Sequence, residues 1–201
     1  MPRRTTPFVP DTYYHFYNRG NNRQAIFFEP ANYLYFLQGF RRYVFPQVSV
    51  IAYCLMPTHY HILVRVRALA GQTSEVSRQV SLAMQKFLIS YTKAINKRFS
   101  RVGALFQGQF QAKPVESHAY LLTLCTYIHG NPVKDGLVAA PEDWPYSNYL
   151  EWMGERKGTL LEPGFISEHF GTPAEYRIQL MDYIRTRYLQ DDMRELLNAF
   201  E

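Results

Sequence analysis

The chain has 201 residues and is 47% apolar, which is enough for one principal hydrophobic core with a smaller appendage. It contains no apolar run of about 20 residues and no apolar segment behind its charged N-terminus. The sequence therefore predicts neither a membrane span nor a signal peptide, and we expect a cytosolic protein. Cys54 and Cys125 lie in apolar runs without metal-ligand spacing, which predicts buried thiols rather than a disulfide or a zinc site.

The net charge of +5 is unevenly distributed. Residues 1–136 carry 16 Lys and Arg against 5 Asp and Glu, whereas residues 137–201 carry 6 against 12. A basic region that also contains most of 16 Tyr and 14 Phe residues is typical of proteins that bind phosphate backbones and stack on unpaired bases. Aromatic residues also fill hydrophobic cores, so composition alone leaves both interpretations open.

The first half of the chain predicts three strands and a helix. Residues 12–19 form an aromatic-rich strand, and a helix begins at Pro30 and ends near Tyr43. The near-continuous apolar run 48–55 is typical of a central strand, and residues 59–66 are its expected hairpin partner.

The second half predicts two more helices and a fourth strand. A long helix runs from about Ser74 to Phe99, followed by a strand within residues 105–115. Ser117 should cap a helix that ends near Ile128, because the sequence Gly-Asn-Pro follows at 130–132. A terminal helix is expected from about Pro173.

The order strand, helix, strand, strand, helix, strand predicts an α+β fold of the ferredoxin-like or RRM-like type. This fold is a four-stranded antiparallel sheet with its helices on one face. We expect residues 1–150 to form this domain and residues 151–201 to form an acidic helical extension packed on it.

Two histidines stand one residue apart on the strand 59–66. Because side chains alternate on a strand, His59 and His61 share one face with Arg65, while Tyr60 points to the other face. Two adjacent imidazoles can bind one cation, and phosphate oxygens or water would complete the coordination of Mg²⁺ or Mn²⁺. The alternative is that both histidines are structural, with their ring nitrogens hydrogen-bonded within the protein.

The long helix contains a single tyrosine on its apolar stripe. Tyr91 falls on one face with Val80, Met84, Phe87 and Ile95. This position is typical of a core residue. If the helix packs beside the histidine strand, the phenol would instead approach a metal-bound phosphate.

Four segments in order resemble the REP-associated tyrosine transposases, which are single-strand transposases of the insertion-sequence-200 type. The segments are YHFYNRGNNRQAIFF at 14–28, CLMPTHYHILV at 54–64, SYTKAINKRFSRVGALFQGQF at 90–110 and YLLTLCTYIHGNPVKDGLV at 120–138. The resemblance spans residues 12–150.

The resemblance implies a DNA endonuclease and strand transferase that acts on single-stranded, hairpin-forming DNA through a 5′-phosphotyrosine intermediate. His59 and His61 match the histidine motif that holds a divalent ion, and Tyr91 is predicted to be the nucleophile. In related transposases the third metal ligand lies one turn beyond the tyrosine. Ile95 occupies that position and cannot bind a metal, so Asn96 is the candidate, and a helix distortion or a water molecule is the alternative.

The remaining predicted site residues are basic or lie near the histidines. His15, on the first strand, either faces the same site or is structural, and His118, His129 and His169 are expected to be structural or exposed. Cations predicted to contact the DNA backbone are Arg3, Arg4, Arg19, Arg23, Arg65, Lys86, Lys93, Lys97, Arg98, Arg101 and Lys113.

The sequence leaves three functional hypotheses open. The first is an active nuclease and strand transferase, associated with the nucleoid and acting as a monomer or a homodimer. The second is a non-catalytic hairpin-binding protein on the same scaffold, which the unsuitable residue at position 95 favours. The third is an RNA-binding protein, which would recognise the 2′-hydroxyl.

Overall fold

The computed structural model describes residues 7–68 and 73–186. No helix within these two ranges is long and apolar enough to cross a membrane. Arg3 and Arg4, predicted to contact DNA, lie outside the described residues.

A four-stranded antiparallel sheet organises the molecule, which confirms the predicted α+β, ferredoxin-like fold. Its strands, in the spatial order β2-β3-β1-β4, are β1 (Tyr13–Arg19), β2 (Val48–Met56), β3 (His59–Val66) and β4 (Gln111–Pro114). The helices are α1 (Pro30–Tyr43), α2 (Thr73–Arg98), α3 (His118–Lys134), α4 (Tyr149–Trp152), α5 (Phe165–His169) and α6 (Pro173–Thr186).

One face of the sheet is covered by α1 and α2, as the sequence predicts. Their apolar stripes bury Phe36, Phe87 and Tyr91 against Tyr60 and the other side chains on that face of the sheet. Several of the aromatic rings meet edge to face; the centroids of Phe36 and Phe87, for example, lie 4.7 Å apart at 71°. This face is therefore a closed apolar core.

The opposite face of the sheet is covered by α3 together with α4, α5 and α6. Trp152 is fully buried there and donates a hydrogen bond from Nε1 to the carbonyl of Ile51 in β2 at 3.0 Å. Cys54 and Cys125, both free, are buried in the same cluster. The sheet consequently lies between two helical layers.

The expected domain boundary at residue 150 falls inside α4. Side chains from both sides of it, Tyr149 and Trp152, belong to the same buried cluster as α3. The division into residues 1–150 and 151–201 stays a prediction.

Helix α3 continues past the point where the sequence predicts its end. The Gly-Asn-Pro sequence at 130–132 was expected to stop the helix near Ile128, but α3 runs to Lys134 with Pro132 inside it. Proline removes one backbone hydrogen bond. Residues 124–132 are nevertheless all buried, so packing outweighs this local cost.

The last strand is shorter than predicted. Of residues 105–115, only Gln111–Pro114 pair as β4, while Phe106 forms an isolated bridge with Gly20. Phe106 is buried against Tyr60 and Tyr91. The segment before β4 therefore packs in the hydrophobic core instead of extending the sheet.

His129 on α3 links the sheet-covering helix to the C-terminal layer. Its ring nitrogens lie 2.6 Å from the hydroxyl of Tyr176 and 2.9 Å from Oδ1 of Asn148. Burial lowers the pKa of His129 to about 4, against an ordinary value of 6.5. His129 is therefore neutral in the folded protein.

We expect the free energy of unfolding to fall as the pH drops from 6.5 towards 4. Over this window the unfolded chain protonates His129 and the folded chain does not, so acid favours unfolding by at most about 1.4 kcal/mol per pH unit for this group. Urea unfolding at pH 7 and pH 5 should show a smaller pH dependence in His129→Gln than in the wild type. Equal dependence in both proteins would contradict the prediction.

Candidate active site

The two histidines of β3 share the face covered by α3, as their spacing predicts. Antiparallel pairing places Tyr17 opposite His61 and Arg19 opposite His59. The imidazole centroids are 5.0 Å apart at 78°. Tyr60, between them, points into the other core.

Each of these imidazoles has a polar neighbour at Nδ1. Oγ1 of Thr58 lies 3.0 Å from Nδ1 of His59, and Nε2 of His15 lies 2.9 Å from Nδ1 of His61. Metal-binding histidines commonly hold their second nitrogen in such a contact, which orients the ring and selects its tautomer. His15 thus faces the same site.

The buried imidazoles are neutral. Burial lowers the pKa of His61, and the nearby charges of His59 and His15 lower it further. Burial and the charge of Lys113 lower the pKa of His15 to about 3. Neutral imidazole is the form that binds a metal.

Tyr91 lies on the other side of the sheet from the histidines. It packs with Phe36, whose ring also contacts Tyr60, and its hydroxyl donates to the carbonyl of Ile26 at 2.8 Å. Burial raises the pKa of Tyr91. Because the sheet separates this phenol from His59 and His61, the structure does not support the predicted catalytic role of Tyr91.

Asn96, the predicted third metal ligand, is on the same α2 helix. Its Nδ2 donates to the carbonyl of Gly103 at 2.9 Å, and its Oδ1 is buried without a hydrogen-bond partner in the described part of the chain. Since α2 covers the face of Tyr60, the fold does not bring Asn96 together with the histidine pair.

Helix α3 instead brings a different tyrosine to the histidines. The ring centroid of Tyr127 lies 5.3 Å from that of His61, at 73°. Nζ of Lys134 lies 5.8 Å from the centre of the Tyr127 ring, and the charge of Lys134 also lowers the pKa of His61. Tyr127 is buried. The Tyr127 ring and the Lys134 ammonium group both lie near His61.

Asn131 lies on α3 between these two residues, one turn after Tyr127. It is buried, and its Nδ2 has no hydrogen-bond partner among the residues that the structure describes. Rotation of this amide by half a turn would offer its oxygen at the same place. A buried amide without a hydrogen-bond partner lowers the free energy of unfolding, so such groups normally bind another polar group or an ion.

A metal would find a suitable donor set here. Within residues 7–68 and 73–186, no three His, Cys, Asp or Glu side chains converge to hold an ion. Two imidazole nitrogens and one amide oxygen suit a divalent ion that also takes phosphate oxygens and water. His59, His61 and Asn131 fit that requirement.

Sequence reasoning missed Tyr127 and Asn131, although a signal was present. Tyr127 and Asn131 are four residues apart, which is the one-turn spacing expected between the tyrosine and the third ligand. The predicted helix ended near Ile128 and therefore did not include Asn131.

The cations predicted to bind DNA fall into separate groups. Arg19 and Lys113 lie on the histidine side, where Lys113 pairs with His15 in the sheet register. Arg65 shares that face but forms an ion pair with Glu162. Lys86, Lys93, Lys97 and Arg98 are on the outer helix α2, Arg23 ends a short 3-10 helix after β1, and Arg101 is in the loop after α2.

Comparisons with known proteins agree with the resemblance in the motifs. A curated protein of Haemophilus influenzae, assigned as a REP-associated tyrosine transposase, is 27% identical over 105 residues, 50% of this chain and 58% of that protein. The match thus spans less than two thirds of this relative. A solved REP-associated tyrosine transposase bound to a REP hairpin aligns with a TM-score of 0.59 and 17% identity, covering 81% of this chain and 94% of the other.

The family model described as "Transposase IS200 like" matches residues 8–131. The match begins before β1 and ends at Asn131, so it includes both histidines of β3 and Tyr127. The predicted resemblance is confirmed, and the chain belongs to the IS200-like transposase family.

Proposed function

We propose that this protein is a metal-dependent endonuclease and strand transferase for single-stranded, hairpin-forming DNA, with Tyr127 as its nucleophile. The observation that carries the proposal is the position of Tyr127 beside His61, on the helix that also bears Asn131. The Tyr127 phenol and the imidazoles of His59 and His61 lie on one face of the sheet, and Asn131 is one turn further along the helix of Tyr127. Family membership supports DNA processing.

His59, His61 and Asn131 would hold Mg²⁺ or Mn²⁺. Such an ion polarises a bound phosphate and offsets the negative charge that develops on it during attack. Thr58 lies beside Nδ1 of His59 and His15 beside Nδ1 of His61, so the Nε2 atoms of both ligands are left for the ion.

Tyr127 would attack the scissile phosphorus through its phenolic oxygen. A bond forms between that oxygen and phosphorus, the bond from phosphorus to the 3′ oxygen breaks, and a 5′-phosphotyrosine and a 3′-hydroxyl result. The phenol loses its proton and the leaving oxygen gains one. The positive charge of Lys134 lies beside the Tyr127 ring, where it would attract the scissile phosphate.

The reaction is reversible in this scheme because a phenol is also a good leaving group. Its ordinary pKa of about 10 is far below that of an alcohol, so a 3′-hydroxyl can displace Tyr127 and reseal a strand. Strand transfer follows when the attacking hydroxyl belongs to another DNA end.

The proposed substrate is a strand that forms a hairpin like the one bound by the solved relative. Arg19, Lys113 and Lys134 place positive charge around the site, which suits a phosphate backbone. Association with the nucleoid would follow from DNA binding, and the oligomeric state remains a prediction of monomer or homodimer.

The proposal is tested with end-labelled hairpin oligonucleotides and single-stranded controls, incubated with Mn²⁺ or with EDTA. We expect a metal-dependent break and a protein adduct whose intact mass equals protein plus the 5′-linked fragment. Tight hairpin binding without any adduct, across hairpins from DNA that flanks its own gene, would contradict nuclease activity.

The burial of Tyr127 favours a second candidate function, a non-catalytic hairpin-binding protein. In that case α3 would stay closed over the histidines, and the cations alone would hold the DNA. An equal affinity for the RNA version of the hairpin would point to an RNA-binding protein instead.

A further inference from the structure

We infer that His15 is a positioning residue that fixes the tautomer of His61 and so makes Nε2 of His61 the metal-binding nitrogen. This inference rests on the proposed function. It concerns a residue of β1 that carries no ligand role in the site described above. The geometric basis is the 2.9 Å contact between Nε2 of His15 and Nδ1 of His61.

The sheet register creates this contact. In the pairing of β1 with β3, Tyr17 lies opposite His61 and His15 lies opposite Leu63, so His15 is the diagonal neighbour of His61 on the same face. The two imidazole centroids are 5.0 Å apart and the rings are inclined by 29°. His15 is completely buried and His61 is 3% exposed, so water does not compete readily for this hydrogen bond.

A hydrogen bond between these nitrogens has two possible directions. If Nδ1 of His61 donates, Nε2 of His61 carries the lone pair that a metal needs. If His15 donates, Nδ1 of His61 carries the lone pair and the ring proton lies on Nε2, which then cannot bind a metal. Metal binding through Nε2 therefore requires His15 to accept.

His59 and His61 each have a polar neighbour at Nδ1, but the two neighbours come from different parts of the chain. Thr58, the residue before His59, lies 3.0 Å from Nδ1 of His59, whereas the neighbour of His61 comes from another strand. An aromatic or aliphatic residue at position 15 would fill the space without supplying an acceptor. Such a substitution therefore tests the hydrogen bond of the His15 nitrogen separately from the packing of the His15 ring.

The first test measures the tautomer directly and needs no metal. Long-range ¹⁵N–¹H spectra of the ring-labelled protein in EDTA should show the His61 proton on Nδ1. A proton on Nε2 would overturn the inference.

The second test compares two variants of matched size. His15→Phe keeps a ring but has no acceptor, whereas His15→Gln places an amide oxygen near the position of Nε2. We expect His15→Phe to weaken Mn²⁺ binding, measured by calorimetry, by about 10- to 100-fold, and His15→Gln to restore most of the affinity. Urea unfolding in EDTA checks that each variant is folded.

The outcomes separate this inference from the proposed function. Unchanged Mn²⁺ affinity in His15→Phe, or equal losses in both variants, would overturn the role of His15 even if the wild type cleaves DNA. A wild type that binds Mn²⁺ with the expected dependence on His15 but forms no DNA adduct would overturn the nuclease proposal alone. Absence of Mn²⁺ binding by the wild type would overturn both. If His15→Phe does not fold, the tautomer of His61 in the wild type decides the question.

Discussion

Tyr127→Phe is expected to abolish the covalent DNA adduct and to lower strand cleavage by at least about 1,000-fold. The substitution removes only the phenolic oxygen that would bond to phosphorus. The ring that packs 5.3 Å from His61 is retained, so hairpin affinity and the free energy of unfolding should change little. Intact mass, denaturing gels, a binding titration and urea unfolding measure these four quantities.

Tyr91→Phe is the matched control for this experiment. It removes a hydroxyl from an equally buried tyrosine on the opposite face of the sheet, where the oxygen donates to the carbonyl of Ile26. We expect a loss of about 1–3 kcal/mol in the free energy of unfolding, because a buried carbonyl loses its donor, and continued adduct formation. An adduct that persists in Tyr127→Phe and disappears in Tyr91→Phe would reverse the assignment.

Asn131→Ala is expected to weaken Mn²⁺ binding by at least about tenfold, since the loss of an outer-shell partner alone costs that much. Cleavage at limiting metal should fall in parallel, and excess Mn²⁺ should restore part of it. Asn131→Asp keeps an oxygen donor and adds a negative charge, so it should bind the ion at least as well as the wild type. Calorimetry with Mn²⁺ measures both variants.

Asn96→Ala provides the comparison on α2. Its side chain bonds to the carbonyl of Gly103 and lies in the helical layer of Tyr91, so metal affinity should match that of the wild type. If Asn96→Ala weakens Mn²⁺ binding and Asn131→Ala does not, the ligand set proposed from α3 is wrong.

The comparison of Tyr91 with Tyr127 also shows what helical periodicity can predict. Periodicity correctly indicates that Tyr91 is on the buried stripe of its helix, because a 3.6-residue repeat determines which side chains share a face. It does not indicate which face of a two-sided sheet the helix will cover. Both tyrosines are buried, and only the packing of α2 and α3 on opposite faces distinguishes them.

The end of α3 illustrates a second limit. Gly130 and Pro132 weaken a helix locally, and a local argument ends the helix there. In the folded chain this part of α3 is buried against β2 and the C-terminal helices, and that burial outweighs the lost hydrogen bond. Asn131 consequently stays on the helix that carries Tyr127.

The sequence by itself determined the four strands, the β2–β3 hairpin and the shared face of His59 and His61, because strand alternation and short-range hairpin pairing are local properties. Its motifs also determined the family. The tertiary structure decided that His15 and Tyr127 contact His61, and that Asn131 stays on the helix that carries Tyr127. The two contacts of His61 join residues 46 and 66 positions apart in the chain, and only long-range packing brings them together.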